Sequence, residues 1–303
     1  MKSLKLVITS ILAVSMVFFS CDNDEKDTFP NYSFENDEII LWEGEWAIAD
    51  FFATLSPEQA AILAQAEWTS SNPNVLEVSG DKITVKSPGT SEVTVKRDGK
   101  HAVLSVVVPL AGMNTFSRSE ASIHLIGTGT ATIDWGDGTA PETVTVSGGN
   151  GTFCRHDYAG NTVNRRILIT GGAGVTQLGC NNIQLTGEFR ISTNPKLEYL
   201  GFYVGDVSSL KTGVCPVLRT IECNNNALTE LNVSKCAALE NLWCATNRMT
   251  IEALRSLITS LPVYPTSTDA SSLKGTIDIS GNTGATPNLR GEAEAKGWRL
   301  ICE

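Results

Sequence analysis

The chain is poor in histidine, in basic charge and in long apolar runs. Its 303 residues hold three histidines, His101, His124 and His156, which leaves little material for imidazole acid–base or metal chemistry. Lysine and arginine number 23 against 33 aspartates and glutamates, a formal net charge of -10. Nucleic acid is therefore a poor partner, since phosphate binding needs basic patches, and docking on anionic lipid is disfavoured too. No two cysteines stand in a CxxC pair, the spacing that zinc sites favour. A GxSxG elbow, an HExxH motif and a phosphate-binding glycine loop are missing as well. Gly127-Thr128-Gly129 and residues 148–151 read as turns between strands. The expectation is no catalytic residue, no metal and no cofactor. Paired carboxylates need only spatial proximity, so a glycan-active enzyme stays as a remote alternative.

What is present begins at the N-terminus. Lys2 and Lys5 precede a nearly unbroken apolar run of about 14 residues, 6–19, closed by Ser20 and Cys21. A transmembrane helix needs about 20 residues, so the run suits the apolar region of a signal peptide. Asp22, Asp24, Glu25 and Asp27 follow. Residues 1–21 resemble a lipoprotein signal, with Phe18 and Phe19 in place of the usual leucine and small residue. That resemblance implies lipid on the sulfur of Cys21, and membrane contact through it. The acidic run resembles the export tag of Bacteroidetes-type surface lipoproteins; read blandly, it is a solvated linker. The tag implies an outer-membrane protein, lipid-anchored and facing the cell exterior. Residues 22–36 read as an acidic tether.

The expected fold class is mainly β: immunoglobulin-like sandwich domains followed by a short leucine-rich-repeat solenoid with an α/β cap. Over 37–110, short apolar runs alternate with turns at Gly80-Asp81, Pro88-Gly89 and Asp98-Gly99, and Ser56-Pro57 opens a possible helix to Ala66. The string WTSSNPNVLEVSGDKITVKSPGTSEVTV resembles the bacterial immunoglobulin-like domain, group 2, and implies that Trp68 is a core residue. Over 112–172, Ile123-His124-Leu125-Ile126, Ala131-Thr132-Ile133-Asp134-Trp135, Thr143-Val144-Thr145-Val146 and Arg166-Ile167-Leu168-Ile169 read as strands. The pair IDWGDGT and HDYAGN resembles a PKD domain. Asp134 and Asp137 have a calcium-like spacing, but a tight Asp-Gly turn explains them better.

From Val175 the chain is periodic. Leu197, Leu218 and Leu239 stand 21 residues apart, as do Leu200, Ile221 and Leu242, and Phe202, Cys223 and Cys244. Asn226 recurs as Asn247. A period near 21 with an LxxLxC-Asn core is the leucine-rich-repeat signature; 173–303 resembles the repeat lipoproteins of Bacteroidetes and, more distantly, internalin-type adhesins. Each coil buries its apolar side only against its neighbours. Cys180, Cys223 and Cys244 therefore read as buried thiols of one row, and Cys215 and Cys236 as part of another. Thr250 is a plausible cap for a helix bearing Ile251, Leu254, Ile258 and Leu261, stopped by Pro262. A strand from Gly275, a helix over 289–296 and a strand at Trp298 would close the end.

Alternation assigns the outward side chains. Tyr199, Tyr203, Glu222 and Trp243 are the candidate ligand-binding residues, with Gly201 expected to leave a gap beside them. Exposed aromatics beside Glu and Asn suit a sugar ring or a protein partner; Trp243 folded over a cap or loop is the other reading. The expected function is a non-catalytic binding or adhesion lipoprotein whose partner is a surface protein or a glycan. The alternative is a polysaccharide-capture lipoprotein of an outer-membrane uptake system.

Overall fold

The structure, a computed structural model, describes residues 38–51, 61, 65–97, 100–116, 120–160, 163–180 and 183–303. Cys21, the signal segment, the acidic tether, the Asp98-Gly99 turn and most of the helix expected after Ser56 lie outside the described residues. The protein is mainly β, with several sheets and few helices.

The first unit holds β1 (Glu38–Ile40), β2 (Glu45–Ala47), β3 (Glu67–Ser70), β4 (Leu76–Ser79), β5 (Lys82–Val85), β6 (Gly89–Arg97) and β7 (Lys100–Val108). They form two sheets, β1-β7-β6-β3 and β2-β5-β4. All neighbours are antiparallel except β1, which runs parallel to β7. Alternation decides the core: Val93 and Val95 of β6 and Leu104 and Val106 of β7 meet Leu76, Ile83 and Val85 from the other sheet. Trp68, expected in this core, is only partly buried against it. Among the described residues its strand β3 is the last in its sheet.

The rest of the chain contributes β8 (Ala111–Thr115), β9 (Glu120–Thr128), β10 (Thr130–Asp134), β11 (Glu142–Thr145), β12 (Thr152–Asp157), β13 (Arg165–Gly171) and β14 (Gly174–Gly179). There follow β15 (Leu185–Ile191), β16 (Tyr199–Gly201), β17 (Asp206–Thr212), β18 (Thr220–Glu222), β19 (Asn241–Trp243), β20 (Gly275–Asp278) and β21 (Trp298–Ile301). One sheet has the order β11-β10-β13-β8-β15-β17 and the other β12-β9-β14-β16-β18-β19-β20-β21. From β14 to β21 every pairing in the second sheet is parallel. The register aligns Leu178, Leu200, Ile221, Leu242, Ile277 and Leu300 on one line across that sheet. These six side chains are at most 4% exposed; the 21-residue spacing read along the chain is a strand-to-strand step in space.

Two sheets and one core run across residue 172, where the sequence reading divides two units. β14 bonds to β9 on one side and β16 on the other, and β8 lies between β13 and β15. The apolar cluster begins at Leu110 and continues to Leu300. The physical cause is the open end of a stacked core, which must be covered; the antiparallel strand β9 covers it by supplying hydrogen bonds and Ile123 and Leu125. At the other end α1 (Ile251–Ser260), α2 (Arg290–Glu294) and β21 do the same. Thr250 caps α1 by accepting a hydrogen bond from the Ala253 amide, and Leu254, Leu257 and Ile258 are buried.

Candidate functional site

The site is built on three-residue strands. In β16, β18 and β19 the middle residue, Leu200, Ile221 or Leu242, points into the core, so both flanking residues face out. Thr220 and Asn241 stand beside Tyr199 in one row, and Glu222 and Trp243 beside Gly201 in the next. All except Gly201 are half-buried. The second row extends to Asp278 on β20 and, at the other end, to Gly179 on β14 and His124 on β9. His124 stacks on Phe153 with centroids 4.0 Å apart and planes within 6°. Phe153 is 59% exposed, so the pair forms a second aromatic surface at that end of the face. Sequence reasoning left Phe153 aside, because nothing in the chain pairs β12 with β9 before the fold does.

Gly201 does not leave the gap expected beside it. The Tyr199 ring lies across it, so that a Cβ at 201 would collide with the ring and its hydroxyl. That hydroxyl donates to Glu222 Oε2 at 2.8 Å. Burial, then the bond to Glu222, pushes the Tyr199 phenol well above its ordinary value. Tyr199 and Glu222 are thus joined, which leaves Trp243 and the second oxygen of Glu222 to a ligand. Tyr203 lies just beyond β16, half-buried. Of the four sequence-named residues, Tyr199, Glu222 and Trp243 share one face of the sheet, with Glu222 and Trp243 in direct register.

The cysteines sit behind this face. Cys180, Cys223 and Cys244 are at most 1% exposed, and so are Cys215 and Cys236. Burial pushes the Cys215 thiol up to about 12 and Cys236 to about 11, and Cys180, Cys223 and Cys244 are raised too. Protonated and enclosed, they behave as small apolar side chains rather than nucleophiles. Among the described residues no three of His, Cys, Asp and Glu gather as a metal ion would require.

A second polar cluster joins the two motifs IDWGDGT and HDYAGN. Asp137 Oδ2 lies 2.6 Å from His156 Nε2, and its Oδ1 accepts from the Thr139 amide at 3.1 Å and hydroxyl at 2.7 Å. His156 stacks on Trp135, and the Tyr158 hydroxyl donates to the Trp135 carbonyl at 3.0 Å. The Trp135 indole donates to Glu142 Oε2 at 3.2 Å, so these bonds tie the turn after β10 to β11 and β12. No protein-family model matches the chain, and no curated protein matches it.

Proposed function

We propose that this protein is a lipid-anchored surface protein that presents its parallel sheet as a non-catalytic binding face. Residues 173–303 are read as a leucine-rich-repeat solenoid, 37–110 as an immunoglobulin-like group 2 spacer, and 112–172 as a PKD-like segment fused to the solenoid's open end. The observation that carries the reading is the register of Glu222 against Trp243. A large aromatic and a carboxylate stand side by side on the outer surface of a sheet whose stability comes from the opposite surface. Neither belongs to the apolar core behind the sheet. The partner is a protein or glycan at the cell surface, reached through a tether starting at a lipidated Cys21.

The test is a glycan array and a pull-down against defined surface proteins, run with wild type and Trp243→Ala. Loss of a bound ligand, with circular dichroism unchanged, supports the reading; a hot-spot aromatic is worth at least about 2 kcal/mol. Equal binding by both proteins moves the site elsewhere. For the anchor, Cys21→Ala should release the protein from the membrane fraction. Wild-type protein untouched by protease added to intact cells would overturn the surface location.

A further inference from the structure

The middle of the face is acidic, and its nearest outward cation is Arg299 on β21, in register with Thr276. The outward positions of β16, β18, β19 and β20 carry two carboxylates, Glu222 and Asp278, and neither lysine nor arginine. Trp243 stands between those carboxylates, each one strand away, a step of about 4.8 Å. At one end of these strands Arg219 and Lys274 share the single carboxylate of Glu240, at 2.8 and 3.1 Å. Glu222 Oε2 is taken by Tyr199 and Asp278 Oδ1 by the Ser280 amide at 2.9 Å. Among the described residues Glu222 Oε1 and Asp278 Oδ2 accept no hydrogen bond from the protein.

We infer that this patch takes a basic polypeptide segment, with an arginine or lysine side chain lying on the Trp243 ring between Glu222 and Asp278. This deepens the binding-face reading above and rests on it. An aromatic face attracts a cation through its quadrupole, and a carboxylate on either side supplies donor acceptors and matching charge. A neutral sugar offers hydroxyls to the carboxylates but no charge to offset two anions beside one ring. The protein's net charge of -10 steers a basic partner toward it from a distance.

The experiment uses the full chain and a labelled peptide of alternating arginine and serine, followed by fluorescence anisotropy. Its counterpart replaces each arginine with citrulline, which keeps the shape and removes the charge. The arginine peptide should bind at least about tenfold more tightly than the citrulline one. Trp243→Ala should weaken it about tenfold, and Glu222→Gln or Asp278→Asn about threefold each. Gln at 222 keeps an oxygen for the Tyr199 hydroxyl, so that variant tests charge and leaves the fold alone. Glu77→Gln, on β4 of the first unit, should change nothing. Equal binding of the two peptides, or an equal loss with Glu77→Gln and Glu222→Gln, overturns the basic-partner inference. If Trp243→Ala abolishes a glycan or surface-protein ligand yet leaves the arginine peptide unaffected, this inference alone fails. Indifference of Trp243→Ala to every probe removes the binding face as well.

Discussion

Asn226, Asn247 and Asn282 end successive turns of the parallel sheet and do the same work in each. The Asn247 amide donates to the carbonyls of Cys223 at 3.0 Å and Cys244 at 3.1 Å, and its oxygen accepts from the Leu228 amide at 2.9 Å. Asn282 repeats the pattern with Cys244, Ile279 and Met249. One side chain thus satisfies backbone groups of two neighbouring coils that would otherwise be buried unpaired. Asn247→Ala should cost about 3 kcal/mol, since several groups lose partners together; a urea midpoint lowered by less than 1 kcal/mol equivalent would rule out the ladder role. The recurrence of Asn226 as Asn247 is plain in the chain, but Asn282 stands 35 positions on because α1 intervenes, and its equivalence appears only in space. Asp137 gives a pH signature. Partial burial works to raise its carboxyl, but the bonds from Thr139 and His156 outweigh that and hold it at about 2, below the ordinary 3.8. Its stabilisation is therefore full above about pH 4 and lost as pH falls toward 2, worth about 1 kcal/mol after screening. Wild type should lose that much more than Asp137→Asn between pH 5 and 2 in urea titrations; parallel losses would remove the assignment.

At the scale of elements, the parallel strands are too short to persist alone. β16, β18 and β19 have three residues each, and a two-stranded pair is marginal even when longer. Stacking makes them a sheet. The turn after each strand places Val204, Asn225, Thr246 and Gly281 at φ of 64°, 54°, 54° and 68°. A branched residue there is strained, so Val204 and Thr246 are held in place by the neighbouring coils: the Val204 amide bonds to the Asn224 carbonyl at 3.1 Å and the Thr246 amide to Ser280 at 2.7 Å. The cap helix α1 was legible, from Thr250 through Leu254 and Ile258, because an amphipathic helix with a side-chain cap is a local pattern. Thr250→Ala should lower stability by about 1 kcal/mol, the usual worth of an N-cap, and exchange of the Ala253 amide should quicken; unaltered exchange there would remove the cap. β15 and β17 were not legible as strands. They become strands because β8 supplies a partner to β15, and β15 in turn to β17.

Trp42 carries much of the contact between the two units. Only Pro109 separates Val108, the last residue of the first core, from Leu110, the first of the second. Trp42 leaves the first unit and buries its ring against the second, 7% exposed, with the Arg190 and Arg166 guanidinium groups 5.4 and 5.9 Å from its centre. Its carbonyl accepts from the Thr193 amide at 3.2 Å, and Glu43 beside it pairs with Lys235. Gly112 lies beneath the ring, where a Cβ would come within 2.6 Å of it. The first unit is thus docked on the second through Trp42 and Glu43. Trp42→Ala should remove about 3 kcal/mol of coupling and lower the melting of the first unit while the second keeps its midpoint. A calorimetric trace unchanged from wild type would show that the docking contributes nothing.

The amino-acid sequence by itself determined the mainly β character, the 21-residue period, the inward rows with their cysteines, and the side chains left for the outer face. All of these follow from periodicity, which is a local property: a strand alternates, and a repeat recurs, whatever its neighbours are. Tertiary structure alone decided that β9 closes the open end of the parallel sheet, that Tyr199 lies over Gly201 and binds Glu222, that Phe153 joins His124, and that Trp42 crosses between units. Each of these depends on which strands become neighbours. That choice is made by the need to cover an exposed core and to pair buried polar groups, and no spacing along the chain encodes it.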